Sequence, residues 1–253
     1  MGSSVSIALW GYFIPLTSAR AVRLGFFLFL LTAAMIGFAF SLGYLARVFP
    51  ILPENASQRA LNGLRLFLIT PGVAIAAILF SEMPLRDGIR QRTLLYPLLG
   101  PVSRTTLAVV RTAATGMLLA GASAAVVLVI RILEGNTGPL VRELWAVTLS
   151  ALAYTAAFGL LHVITRRGLF AGLAFLILFD APLSQLPFGI RRLSLSYHTR
   201  VLADTLVEMQ LPVAIMPPEA SFLGSTLTLI LVAAALTAAT AYVFSRKRLG
   251  ELC

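Results

Sequence analysis

The sequence predicts an all-α integral membrane protein with six transmembrane helices, an N-terminal interfacial helix and short extracytoplasmic helices between spans five and six. Three observations predict it. Of 253 residues, 58% are hydrophobic and only 12% are charged, and the mean hydropathy is +0.91. A soluble domain is about 45–50% apolar and about 25% charged. Several apolar stretches approach the roughly 20 residues that a spanning helix needs. Asp and Glu are kept out of these stretches, except for Asp180 at the end of the fifth.

The elements follow in order. Ser3 to Thr17 is apolar but broken by Gly11 and Pro15, with Trp10, Tyr12 and Phe13 together. That pattern suits an amphipathic helix lying in the membrane interface. The first span covers residues 24–46, and Arg47, Pro50, Pro53, Glu54 and Asn55 make the next loop. The second span covers 61–80, with Arg65 placed to snorkel to the headgroups and Pro71 to kink the helix. A basic loop, 82–104, carries Arg86, Arg90, Arg92 and Arg104 against Glu82 and Asp87. The third span covers 107–133 and is long enough to tilt, or to stand with Arg111 in the interface. A turn-rich loop holds Gly135-Asn136 and Gly138-Pro139. The fourth span covers 144–164, closed by Arg166 and Arg167, and the short fifth covers 169–183. Between residues 187 and 221 an amphipathic helix is expected from Ser194 to Gln210, with a charged ladder of Arg200, Asp204 and Glu208. The sixth span covers 224–244, ending at Arg246, Lys247 and Arg248.

Charge sets the orientation. Eleven basic residues fall on the side of both termini and seven on the other, so the termini are expected in the cytoplasm. The net charge of +10 is therefore topological, not a nucleic-acid footprint. A basic loop against an anionic leaflet or a docking protein accounts for 82–104 without nucleic acid. Cys253 is the one cysteine and makes no internal disulfide. The N-terminus does not read as a cleavable signal, since no basic residue precedes Arg20. No internal repeat or linker divides the chain, so 1–253 is expected to be one membrane domain.

Several chemistries are excluded by residue type. A Walker A loop needs a Gly-Lys-Ser/Thr step, and the only lysine, Lys247, lies between Arg246 and Arg248. The chain is thus not expected to be an enzyme. Asp87-Gly88 resembles the start of the CDP-alcohol phosphatidyltransferase motif. Its later positions hold Pro101, Thr105 and Val109 instead of metal-binding carboxylates. An intramembrane protease would need Ser123 with His162, yet Ala124 stands where a glycine is usual, and small residues here suit helix packing. His162 is expected as a hydrogen-bonded interhelical histidine near the cytoplasmic boundary. A proton-coupled carrier usually needs several buried carboxylates, which are scarce. Two histidines and a terminal cysteine make no metal spacing.

The chain is similar to ABC-2-type transporter permeases, the membrane-spanning subunits of ABC exporters. The resemblance is carried by Arg92-Thr93-Leu94-Leu95 and then Pro101-Val102-Ser103-Arg104 leading into the third span. It extends over nearly the whole chain as architecture. Arg92 stands where that family usually has Gly, and Gly88 and Arg90 where Glu is common. The resemblance implies that the loop is a coupling helix docking on a separate ABC ATPase subunit, through Arg86, Asp87, Arg90, Arg92, Pro101, Ser103 and Arg104. It implies no cofactor in this chain, with ATP and Mg bound by the partner. It implies a second permease chain, identical or related, membrane lipids as neighbours, and a bacterial or archaeal cytoplasmic membrane. Pro71, Phe170, Phe175 and Phe179 are the residues expected along a translocation path for a hydrophobic or amphipathic cargo. The competing expectations are a non-transporting anchor or scaffold working with an ATPase, and an ion-coupled secondary carrier.

Overall fold

The computed structural model describes residues 4–10, 32–41, 44, 56–82, 102–135, 138–165, 167–186, 189–205 and 220–246. Helices are α1 (4–10), α2 (Thr32–Ser41), α3 (Ala56–Phe80), α4 (Arg104–Glu134), α5 (Leu140–Ile164), α6 (Gly168–Leu183), α7 (Leu195–Ala203) and α8 (Phe222–Arg246). No strand occurs among the described residues. Four helices, α3, α4, α5 and α8, are long and apolar enough to cross a membrane, as in a membrane protein. Helix α2 falls inside the predicted first span, and α6 matches the predicted fifth; both are shorter. Arg86, Asp87, Arg90, Arg92 and Pro101 lie outside the described residues, as do Glu208 and residues 11–31.

The helices begin and end where local chemistry dictates. Ser103 has extended backbone (φ −68, ψ 146) and its hydroxyl accepts the Thr106 N–H at 3.0 Å. This N-cap starts α4 three residues before the predicted span, because a cap satisfies N–H groups the helix itself leaves open. At the far end Gly135 takes a left-handed φ of 69, which glycine adopts without steric cost. With 31 residues α4 is about 46 Å long at 1.5 Å per residue, well beyond a hydrocarbon core of about 30 Å. Replacing Ser103 with alanine should cost about 1 kcal/mol, and Ser103→Asp should restore most of it. Thermal unfolding in mild detergent reads both.

At Pro71, where a kink is predicted, α3 widens into a π-helical segment, Leu68–Gly72. Proline has no N–H and crowds the carbonyl one turn back, so the chain widens there. The Val73 N–H reaches back to the Leu68 carbonyl. A Cβ on Gly72 would lie 3.0 Å from the Phe67 carbonyl oxygen, so glycine suits this position. A second π segment, Phe175–Asp180, interrupts α6.

Helix α5 is the centre. It packs against α3, α4, α6, α7 and α8, and 72% of its most apolar window is buried, against 22% for α8. The main core joins Ile69, Val73 and Ile78 of α3, Leu119 and Val127 of α4, Tyr154 and Phe158 of α5, Leu176 of α6 and Leu202 of α7. Gly172 lets α6 approach closely: a Cβ there would sit 3.2 Å from both Ile78 and Phe158. At one end Ala8 of α1 packs with Leu107, Ala108, Val163 and Phe244. That end thus gathers the N-terminal helix, the start of α4 and the ends of α5 and α8.

Two expectations are overturned. Helix α7 stops at Ala203, and Asp204 leaves the helix with a left-handed φ of 57. The expected ladder is therefore broken at Asp204, which pairs with Arg142 at 2.7 Å, and Glu208 lies outside the described residues. Every residue from Leu195 to Ala203 is buried except Arg200, which is half-buried. Arg65 does not snorkel outward. It bonds Asn62 and Glu143 and lies 3.5 Å from Glu134.

Candidate functional site

Two polar centres and one charged cluster stand out within the bundle. The first is built on Asp180, whose side chain is 1% exposed. Five donors converge on its carboxylate. Tyr154 O–H and Ser196 O–H donate to Oδ2 at 2.5 Å each. Ser194 O–H, Leu195 N–H and Ser196 N–H donate to Oδ1 at 3.0, 2.7 and 3.4 Å. Asp180 thus caps the first turn of α7 from outside that helix, where a negative charge meets the positive end of the helix dipole. Ser194 completes the cap by accepting the Tyr197 N–H at 3.2 Å.

Tyr154 lies near the midpoint of α5, so the start of α7 reaches far down that helix. Asp204, just past the other end of α7, pairs with Arg142 in the first turn of α5. Helix α7 therefore dips into the bundle and climbs back alongside α5. Further ties join it to α8, to Ala220 just before α8 and to Arg192 just before α7 itself. Tyr197 O accepts the Ala220 N–H at 3.0 Å. His198 Nε2–H donates to the Arg192 carbonyl at 2.8 Å, which leaves Nδ1 to accept from Ser225 O–H at 3.1 Å.

Burial pushes the His198 imidazole below its ordinary value; the Arg192 carbonyl partly offsets this and the Arg192 charge adds to it. Above about pH 6.5 the folded and unfolded chains both hold a neutral histidine, so nothing is lost. As pH falls below that, the unfolded chain takes the proton first and stability drops. The fall in melting temperature between about pH 7.5 and about pH 5.5 should be smaller in His198→Gln than in the parent.

The second centre sits at the end of the bundle that holds the mouth of the basic loop. Ser81 follows α3 directly and its hydroxyl donates to the Ile78 carbonyl at 3.1 Å. His162 Nδ1 lies 2.7 Å from the Phe158 carbonyl, which can only accept, so Nδ1 carries the proton. The same Nδ1 is 3.3 Å from Ser81 Oγ. This is the interhelical histidine expected from sequence. Gly168, the first residue of α6, presses on it: a Cβ there would lie 2.6 Å from His162 Cδ2 and 2.7 Å from its Cα.

The charged cluster joins three helices. Glu143 is fully buried and accepts from Arg131 Nε at 2.7 Å, from the Arg131 terminal nitrogen at 2.5 Å, and from Arg65. Arg131 also reaches Glu134 at 3.0 Å. Two cations and two anions thus close a neutral network across α3, α4 and α5.

The sequence-predicted site residues divide. Ser103 and Arg104 open α4, and the other loop residues lie outside the described residues. Pro71 sits in the π segment of α3, half-buried. Phe175 packs edge-on to Phe158, with ring centroids 6.2 Å apart. Phe170 and Phe179 are 69% and 57% exposed and face away from this chain's own core. Arg111, expected in a long third span or its interface, is fully buried. Sequence reading did not find Tyr154, Ser194 and Ser196 as partners of Asp180, nor the Arg65–Glu143 link. The available signal was a lone carboxylate in an apolar stretch, which always demands donors. No family model, no curated protein and no solved structure matches this chain.

Proposed function

We propose that the chain is the membrane-spanning subunit of an ATP-driven exporter of the ABC-2 type. Its cargo is hydrophobic or amphipathic, and a separate nucleotide-binding subunit hydrolyses the ATP. Helices α2 and α6 belong to the first and fifth of six spans, with α3, α4, α5 and α8 as the others. The observation that carries this reading is α7. It is a short helix, buried against α5 and α8, at the place between the fifth and sixth spans where short extracytoplasmic helices are expected. The shared end of α1, Ser81, Ser103 and Arg246 supports a cytoplasmic face where the basic loop meets an acidic groove of the ATPase. Two outward-facing phenylalanines, Phe170 and Phe179, support a path completed by a second permease chain. The membrane is then the cytoplasmic membrane of a bacterium or archaeon.

The test is a mild-detergent pull-down from the native host. An ATPase with a Walker A loop should co-purify, and reversing the charge of Arg90, Arg92 and Arg104 together should release it. Recovery of the chain with no ATPase would sink the reading. An ATPase that binds without any ATP-dependent flux would leave a scaffold.

Asp180 favours a second reading, an ion-coupled carrier, because a buried carboxylate in an apolar helix is a common proton site. Against it, the carboxylate is already engaged as the cap of α7 through Ser194, Leu195 and Ser196. Flux that collapses with the proton gradient, and not with ATP, would select the carrier.

A further inference from the structure

Helices α2 and α3 part to leave an apolar groove of about 500 Å³, lined by Ala34, Met35 and Phe38 on one wall and Ala60, Gly63 and Phe67 on the other. The two helices meet beside it through Ala39, Leu61 and Leu64, backed by Ile130 of α4. Gly63 keeps its wall open: a Cβ there would meet nothing within 4 Å. Phe38 and Phe67 are both exposed. An apolar cavity of about 150 Å³ already stays dry and takes up a small hydrocarbon. The side chains of this larger groove offer water no hydrogen bond, so hydrocarbon is the occupant that fits.

One cation stands at the mouth. Arg59, Gly63 and Phe67 follow at i, i+4 and i+8, so they share a side of α3. Arg59 is exposed and about 6 Å nearer the start of the helix than Gly63, at 1.5 Å per residue. It precedes the apolar run 61–80, which places it at the level of lipid headgroups. Arg65, further in, is engaged by Glu143 and Glu134. Arg59 has no carboxylate partner among the described residues.

We propose that the groove is a lipid site: one acyl chain of an anionic phospholipid lies between α2 and α3, and its phosphate rests on Arg59. Lipid tails are as apolar as leucine, so the groove gains packing and no transfer from water. Packing alone accepts any chain of suitable shape. The guanidinium supplies the preference for a headgroup of net negative charge, through charge-assisted bonds to phosphate. The other candidate occupant is a helix of a second copy, and charge disfavours it, since each copy carries a net charge of +10. The site stands without the permease reading and without an ATPase.

The test uses the full chain in non-ionic detergent, stripped of lipid and then given dioleoyl phosphatidylglycerol or dioleoyl phosphatidylcholine. Native mass spectrometry counts the lipids retained. One phosphatidylglycerol should stay per chain, with a preference over phosphatidylcholine of about fivefold, the effect of one arginine near an anionic headgroup. Gly63→Leu fills the groove and should lower retention of both lipids by about fivefold or more. Arg59→Gln should erase the preference and leave phosphatidylcholine retention as it was. Gly121→Leu on α4, where an added Cβ also meets nothing within 4 Å, is the control and should change neither. Arg59→Gln alters only an exposed side chain, so it decides the matter should Gly63→Leu fail to insert. Unchanged retention in Gly63→Leu, an equal loss in Gly121→Leu, or a preference that survives Arg59→Gln would each overturn the site. So would a disulfide-linked dimer of Gly63→Cys in a Cys253→Ser background, which would give the groove to a second copy.

Discussion

Glu143→Met is expected to destabilise the chain by about 3–5 kcal/mol, the usual result of stranding a buried charge. Glu143 is fully buried and takes bonds from both Arg131 and Arg65. Without it, two guanidinium groups share only Glu134, and desolvation is no longer offset. The network also predicts its own partial rescue. Arg131→Met with Glu143→Met leaves Arg65 and Glu134, already 3.5 Å apart, as a neutral pair. The double variant should therefore be more stable than Glu143→Met alone. Denaturant titration in micelles checks both, with Trp145 on the same helix as a local probe. A double variant no better than the single would mean that packing, not charge balance, sets the cost.

Asp180→Ala should cost about 3 kcal/mol. Loss of a helix cap accounts for about 1 kcal/mol, and donors left without acceptors add about 1–3 kcal/mol. Removing a buried charge returns part of this. Tyr154 and Ser196 are not fully stranded, because their hydroxyls lie 2.8 Å apart and can bond each other. Asp180→Asn should cost only about 1 kcal/mol. An amide oxygen still accepts the Leu195 N–H, and the amide N–H₂ can donate to hydroxyls that rotate to receive it. Equal losses for Ala and Asn would show that the charge, not the acceptor, holds α7 in place.

What could be read from the sequence was what depends on neighbours along the chain. The long apolar runs located α3, α4, α5 and α8 to within a few residues at each end. Pro101-Val102-Ser103-Arg104 marked a helix start because a serine cap acts on the residue three positions later. Pro71 announced a local break because its ring acts on its own turn. The rest depends on partners far away in sequence. Arg65 and Glu143 are 78 positions apart, and a single sequence offers no reason to prefer that pair over snorkelling. Helix α7 misled because its few charges fell at helical spacing. Periodicity could not reveal that Asp180 would reach in, cap the first turn and draw the whole helix under cover. Residues 83–101 of the basic loop lie outside the described residues.

The two π segments also fix angular phase. Each wide turn holds about one residue more than an α turn, so it rotates everything downstream by about 100° relative to an unbroken helix. In α6 the segment ends on Asp180 itself. Were Phe175–Asp180 an ordinary α turn, Asp180 would point about a quarter-turn away from Tyr154, and the apolar side of α6 would face the serines instead. The irregularity is thus a rotary offset. It lets one helix show phenylalanines such as Phe170 to the outside along its first turns and still bring a single carboxylate round to the inside.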